Sequence, residues 1–426
     1  MRKFPTSLIF SFSHFTTYPV AIGPAFRDDS FSLDGLTDFI TPKDILYDFL
    51  ASHNGNFLTL YLARNDPLPS YESNSPRQSH IKPPIAFAGH PFLLLHNLPG
   101  DSTSVSTTAT AALDAMRQEG MEDNLLIMLG ASGCGKTRTC FEILCSTWGI
   151  YFVAGKEYLG SKDIALMESY LTPLMTGNFD NNRGHAEHYT KCALLARLLI
   201  LDHCVAKSPS FTPQRWMLIQ VVQDIFKKIY DYYGDIFSNL TVRLARACNE
   251  QFVREEIGNT YTKLCTKLEL NVFPIFLDEA QVLQHILPNH FKSRTVTTED
   301  RPLLSPVVHA LVQPIDSVDS HCVVPCGTGL GLMFVRETLL SGVAKQVNSI
   351  PRFTNFGGWR DEEHVAQYAR AIVDLEYADI TKLYKYFPGR FRPIVTCIEK
   401  ILTGFSVSQA IDFIWDIVTT PRTLKE

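Results

Sequence analysis

The chain has 426 residues, of which 45% are hydrophobic and 19% charged, with a formal net charge of -5. This length favours more than one structural unit, and the apolar content excludes a chain that is disordered throughout. The acidic balance predicts no chain-wide basic field for nucleic acid. The ten cysteines include no C-x-x-C pair, which is typical of free thiols in a soluble protein of a reducing compartment.

The first 95 residues are rich in Pro, Ser, His and Asn and predict a small, partly disordered N-terminal region. Within it we expect a strand at residues 57–62 and a loop at 67–84. The apolar run near the N-terminus is short and gives only a weak secretion signal. No apolar run reaches the roughly 20 residues that cross a bilayer, so no membrane span is expected.

After the N-terminal region, apolar runs and helical patterns alternate. Each run is short and continuous, as in buried parallel strands. The predicted strands are residues 125–129, 149–154, 272–277 and 322–326. The predicted helices before, between and after them are residues 109–116, 136–147, 303–312 and 394–401, with Asp361 capping another. Residues 160–268 read as a helical insertion, and helices dominate the C-terminus.

The segment between the first strand and the next helix matches G-x-x-x-x-G-K-[ST], the P-loop pattern. Glycines let the backbone turn its N–H groups around phosphates, beside the positive end of the following helix. We expect Lys136 to reach the β and γ phosphates and Thr137 to bind Mg²⁺. The residues assigned to nucleotide contact are Gly130, Ala131, Ser132, Gly133, Cys134, Gly135, Lys136, Thr137 and Arg138.

A second motif is the apolar strand that ends in Asp278 and Glu279, the Walker-B arrangement. Asp278 is expected to hold Mg²⁺ through water, and Glu279 to orient or activate the attacking water. Thr328, after the next predicted strand, is a candidate γ-phosphate sensor. Arg390 and Arg392, at the start of a C-terminal helix, are candidate sensors from a lid, with a solvated helix cap as the equal alternative.

Taken in order, these segments resemble the NTPase domain of the Crinkler family of effectors from oomycetes and fungi. The resemblance rests on residues 129–139, 148–152, 277–281, 327–330 and 389–393, and on LTLYLAR at 58–64, which is similar to the family's Leu-x-Leu-Phe-Leu-Ala-Lys signature. It implies an ATPase that is secreted, delivered into host cells and often nuclear. Two departures stand out: the first 50 residues lack a clear ubiquitin-like pattern, and no nuclease-like or kinase-like domain follows the NTPase.

Together these features predict an α/β P-loop NTPase, AAA-like or STAND-like, with a parallel sheet, a large helical insertion and a C-terminal helical lid. The expected division is an N-terminal region at 1–95, a core at 96–345 and a lid at 346–426. The leading hypothesis is Mg²⁺-dependent hydrolysis of ATP, with GTP left open, that drives a conformational change.

Three alternatives stay open: a nucleotide-gated switch that recruits a partner through the insertion, phosphoryl transfer to a small molecule, and nucleic-acid binding by family analogy. A homo-oligomer or a host protein is the expected partner class. His185, His188 and Cys192 share a helix face at a spacing that permits metal ligation, but a plain helix face is favoured because no fourth ligand is evident.

Overall fold

The structure is a computed structural model, which divides into two units, Met1–Ile40 and Thr41–Glu426. The described residues all belong to the second unit, and the expected boundary near residue 95 stays a prediction. The structure describes residues 41–51, 53–64, 68, 70–85, 92–100, 105–117, 124–156, 159–222, 234–293, 300–313, 321–328 and 351–419.

The centre of the larger unit is a five-stranded sheet in the order β2-β3-β6-β1-β7, and each of its strand pairs is parallel. Its strands are β1 (Ile127–Leu129), β2 (Ile150–Val153), β3 (Phe273–Asp278), β6 (His321–Gly327) and β7 (Arg352–Phe353). A separate antiparallel pair joins β4 (Phe291–Lys292) to β5 (Asp300–Arg301). Every residue of the first four sheet strands is buried, which explains why the sequence shows continuous apolar runs there. The strands predicted at residues 125–129, 149–154, 272–277 and 322–326 are confirmed.

The order of the strands places the carboxyl end of β6 between two motifs. In register, Leu129 of β1 faces Gly327, and Leu277 of β3 faces Pro325. The loop after β1 and the acids at the end of β3 therefore lie on either side of the end of β6, where the parallel strands have their carboxyl ends.

Along the chain, helices precede, connect and follow these strands. The helices are α1 (Pro42–Ala51), α2 (His53–Ala63), α3 (Thr107–Met116), α4 (Lys136–Ser146), α5 (Met167–Leu171), α6 (Phe179–Lys207), α7 (Pro213–Val221), α8 (Ile236–Ala247), α9 (Glu250–Leu268), α10 (Leu304–Val312), α11 (Glu362–Arg370), α12 (Tyr377–Tyr386), α13 (Phe391–Leu402) and α14 (Val407–Thr419). The predicted helices are confirmed, and the Asp361 side chain accepts a hydrogen bond from His364 N–H at 2.8 Å, as a cap does. Within the described ranges, no helix combines the length and apolarity needed to span a membrane.

The strand predicted at residues 57–62 is wrong, because this segment lies in helix α2. Phe57, Leu58 and Tyr61 are buried, whereas Leu60 is 38% exposed. A strand would have buried Leu58 and Leu60 on the same face, whereas the observed pattern has the helical spacing. The helix is tied to α7 by Tyr61, whose hydroxyl donates to Arg215 O at 2.8 Å.

The helical insertion between β2 and β3 contains α5 to α9. Its longest member, α6, has 29 residues and is buried over most of its length. Arg197 of α6 is fully buried, pairs with Asp163 and lies 4.0 Å over the ring of Phe152 in β2. A buried charge needs such partners, and the contact with Phe152 ties the insertion to the edge strand of the sheet.

The C-terminal helices α11 to α14, which correspond to the predicted lid and are called the lid below, have their own hydrophobic core, which includes Trp359, Val365, Ile398 and Ile411. Leu93, from the segment before α3, is part of this core, and its N–H donates to Glu399 Oε1 at 2.8 Å. Burial raises the pKa of the Glu399 carboxyl to about 7, against smaller lowering effects of that hydrogen bond, Lys400 and Arg392. The segment before α3 and the lid are therefore joined at a titratable contact.

Glu399→Gln tests this contact through the pH dependence of stability. The folded pKa of about 7 exceeds the ordinary 4.5, so this group's contribution is complete below about pH 4.5 and is lost as the pH rises through about 7. Glutamine keeps an acceptor for Leu93 and does not titrate. We expect the free energy of unfolding of the variant, relative to that of wild type, to rise by about 1–2 kcal/mol between about pH 5 and about pH 8.

The measurement is the melting temperature of both proteins across this pH range. Glu376→Gln, at an exposed glutamate, is the control and should show a constant offset from wild type. A constant offset for Glu399→Gln as well would contradict the assignment.

Candidate functional site

Residues 130–137, called the loop below, comprise the tight turn between β1 and α4 and the first two residues of α4. Gly133 and Gly135 have φ values of 78° and 103°, a left-handed conformation that side chains disfavour. A Cβ atom at Gly130 would lie 2.6 Å from Cys134 Sγ. The glycines are therefore needed for the loop to close, and the first-turn N–H groups of α4 lie at its end, where anions bind.

Lys136 reaches back across this loop and is 7% exposed. Its Nζ donates to Gly130 O at 2.8 Å and to Ala131 O at 3.0 Å. The ammonium group is thus held against the loop backbone, next to the N–H groups of the turn. A cation in this position is suited to contact phosphate oxygens.

The carboxylate of Asp278, at the end of β3, accepts hydrogen bonds from two other elements. Thr137 Oγ1 of α4 donates to Oδ2 at 2.8 Å, and the Tyr151 hydroxyl of β2 donates to the same oxygen at 2.9 Å. The N–H of Glu279 donates to Oδ1 at 2.9 Å. Asp278 is 1% exposed, so these donors compensate the cost of burying its charge.

The structure brings together Thr137 and Asp278, the two residues that the sequence assigns to Mg²⁺. A hydroxyl oxygen and a carboxylate oxygen are hard donors of the type that Mg²⁺ prefers, usually with several waters retained. The residues present therefore fit this ion. Tyr151 was missed by the sequence reasoning, because an aromatic residue in a buried strand carries no signal that its hydroxyl faces an acid.

Glu279 has a left-handed backbone, with φ 53°, and caps the short 3₁₀ helix Ala280–Gln284. Gln281 Nε2 donates to Glu279 Oε2. Burial, followed by the negative charge of Asp278, raises the pKa of the Glu279 carboxyl. A strained, non-glycine residue whose pKa lies above its usual range has the properties of a proton-accepting group at an active site.

Thr328 directly follows β6 and is partly exposed. Gly130 N–H donates to Gly327 O at 3.4 Å, so Thr328, the residue after Gly327, follows a residue that contacts the loop. This location is suited to the sensor role that the sequence assigns, which stays a prediction. Residues 329–330, also part of the family resemblance, lie outside the described residues.

The start of lid helix α13 lies against the loop. Arg392 N–H donates to Gly133 O at 3.1 Å, and a Cβ atom at Gly133 would lie 2.7 Å from Arg392 Cβ. The positive charge of Arg392 also lowers the pKa of Glu279, against the dominant effect of burial. Arg390, at the cap of the same helix, and Arg392 are both exposed.

Arg138 is assigned to nucleotide contact from the sequence. In the structure its guanidinium donates hydrogen bonds to backbone carbonyls and to a carboxylate. Nη1 donates to Leu94 O at 2.8 Å and to His96 O at 2.7 Å, and Nη2 donates to Asn97 O at 2.8 Å. Nε donates to Glu142 Oε1 at 2.8 Å. Arg138 therefore fixes the segment before α3 to the helix that carries the loop, and a direct contact with nucleotide stays a prediction.

The histidines and cysteine on α6 do not assemble a metal site. His188 Nε2 and Cys192 Sγ are 3.7 Å apart. Across the described ranges, no group of three or more His, Cys, Asp or Glu residues is arranged to hold a metal ion.

Among solved structures, the Walker-type ATPase of Pyrococcus abyssi is similar to this chain. The two share 12% sequence identity over 77% of this chain and 76% of that one, with a TM-score of 0.43. No protein-family model matches the chain, and no curated protein matches it. At this identity and TM-score the likeness decides neither subtype nor activity, and none of these comparisons supports the Crinkler resemblance.

Proposed function

We propose that this chain binds ATP with Mg²⁺ in the loop at residues 130–137 and hydrolyses it to drive a change between core and lid. The observation that carries the proposal is the hydrogen bond of 2.8 Å from Thr137 Oγ1 to Asp278 Oδ2. It joins the first turn after a glycine loop to a buried acid two strands away. A loop that merely turned the chain would not need this link.

In this proposal each residue has a distinct role. The loop N–H groups and the Lys136 ammonium bind phosphate oxygens, while Thr137 and Asp278 hold the metal through oxygen or water. Mg²⁺ supplies neutralisation of the charge that develops on the phosphates. Glu279 accepts a proton from the attacking water, for which its raised pKa suits it.

Paired variants separate binding from turnover. Lys136→Ala removes a phosphate contact, so we expect ATP affinity to fall at least tenfold, about 1.4 kcal/mol. Glu279→Gln keeps the shape of the site without the base, so ATP affinity should stay within threefold while turnover falls about 10²–10⁴-fold.

The measurements are equilibrium nucleotide binding and Mg²⁺-dependent phosphate release, with ATP and GTP in parallel. Lys263→Ala and Glu255→Gln, on α9 and away from these contacts, are the matched controls. Unchanged turnover in Glu279→Gln would remove the water-activating role, and unchanged affinity in Lys136→Ala would remove the phosphate site.

We further propose that Arg392, rather than Arg390, reports the γ phosphate from the lid. The support is the contact of Arg392 N–H with Gly133 O at 3.1 Å and the electrostatic effect of its guanidinium on Glu279. Arginine offers bidentate contact to phosphate, so its position at the loop suits this role.

Arg392→Ala should therefore reduce the preference for ATP over ADP at least fivefold, about 1 kcal/mol, while ADP affinity changes less than twofold. Arg390→Ala is the matched control, because it removes the same charge from the same helix cap. Competition binding of the two nucleotides measures both. An equal loss in the two variants would show a general charge effect and would contradict the sensor role.

A nucleotide-gated switch with little turnover is the second candidate. It is favoured by the direct packing of lid helix α13 on the loop. With this packing, the binding of nucleotide in the loop is enough to change the position of the lid, without hydrolysis. A protein or nucleic-acid partner would be recruited through the insertion. Tight retention of ATP with turnover far below about one per second would select this candidate over the ATPase.

We also propose, on the ordered set of motifs at residues 129–139, 277–281 and 389–393, that the protein acts as a Crinkler-like effector. The proposal includes secretion and delivery to the host nucleus. Tagged full-length protein expressed inside host cells should accumulate in nuclei, and a variant without residues 1–40, the smaller unit, should do so equally if those residues serve only entry. Exclusion of both from nuclei would contradict it.

A further inference from the structure

Tyr151 lies on β2, at the edge of the sheet, and its ring is enclosed. The residue is 1% exposed, and its ring packs edge-on against Phe141 of α4 at a centroid distance of 5.2 Å. A Cβ atom at Gly160, where φ is 123°, would lie 3.2 Å from the ring. The ring therefore has little freedom to move.

The hydroxyl of this ring donates to Asp278 Oδ2 at 2.9 Å, the oxygen that also accepts from Thr137 Oγ1. Two donors on one oxygen fix the direction in which the carboxylate points.

The backbone of Tyr151 is held by the helical insertion rather than by a further strand. Its N–H donates to Gln220 Oε1 of α7 at 2.9 Å, and its carbonyl accepts from Arg197 Nη2 of α6 at 3.3 Å. Gln220 and Arg197 are both fully buried. The outer edge of β2 is thus completed by side chains of the insertion.

We propose that Tyr151 is a positioning residue that sets the Asp278 carboxylate for Mg²⁺, and that the insertion fixes Tyr151 through Gln220 and Arg197. The inference rests on the proposed function of the loop as a Mg²⁺–nucleotide site. The insertion is thereby connected to the site through hydrogen bonds. A shift of α6 or α7 would move β2, and the tyrosine hydroxyl would move with it.

The test variant is Tyr151→Phe, which keeps the ring and removes only the hydroxyl. Without that donor the carboxylate can turn away from Thr137, so the metal should be held less well. We expect the Mg²⁺ concentration that gives half-maximal tightening of analogue binding to rise five- to twentyfold. Affinity for the analogue in EDTA should change less than twofold, because the loop and Lys136 are untouched.

The readout is equilibrium binding of a fluorescent, non-hydrolysable ATP analogue to the full chain over a Mg²⁺ titration, which does not depend on turnover. Tyr189→Phe is the matched control, because Tyr189 is also fully buried and its hydroxyl donates at 3.1 Å to a carbonyl, Asp163 O, within the insertion. It should leave the Mg²⁺ requirement unchanged. Retained affinity in EDTA shows that each variant is folded at the loop.

Gln220→Met provides a second variant that keeps the tyrosine hydroxyl and loosens its backbone. It should shift the Mg²⁺ requirement in the same direction by two- to fivefold. A Mg²⁺ requirement within twofold of wild type in both Tyr151→Phe and Gln220→Met, or an equal shift in Tyr189→Phe, would overturn the inference. Absence of nucleotide binding by wild type would instead remove the proposed function itself.

Discussion

The buried carboxylate of Asp278 is the constraint on which the rest of the site depends. A carboxylate that is 1% exposed is costly unless donors surround it. Those donors come from the helix after the loop, from the edge strand β2 and from the chain just beyond the acid itself. Satisfying this single group therefore fixes the position of α4 relative to β3, with β6 lying between β1 and β3, and so places the glycine loop beside the acid.

Contacts from outside the sheet then hold the loop from two directions. Arg138 joins α4 to the segment before α3, and that segment reaches the lid through Leu93 and Glu399. The lid in turn returns to the loop through Arg392 and Gly133. The loop with α4, the segment before α3 and the lid therefore each contact the other two. In the proposed function, a group that binds in the loop and alters the Gly133 contact would also change how the lid packs on the loop.

Much of this architecture is predictable from the sequence, because continuous apolar runs and the glycine pattern depend on local chemistry. The order of the strands cannot be predicted in this way, because the sequence of β6 carries no signal that it pairs with both β1 and β3. The strand predicted over helix α2 was wrong because alternating leucines resemble a strand, and only tertiary packing leaves Leu60 exposed. The contacts of Tyr151 and Arg138 were hidden for the same reason, because their partners lie far away in the sequence.

The most direct test of the central claim is a crystal structure of the full chain with Mg²⁺ and a non-hydrolysable ATP analogue. The account predicts phosphate oxygens within hydrogen-bond distance of the loop N–H groups and Lys136 Nζ. It also predicts the metal at Thr137 Oγ1, with Asp278 beside it directly or through water. A nucleotide bound elsewhere, or a metal away from these two residues, would contradict the account.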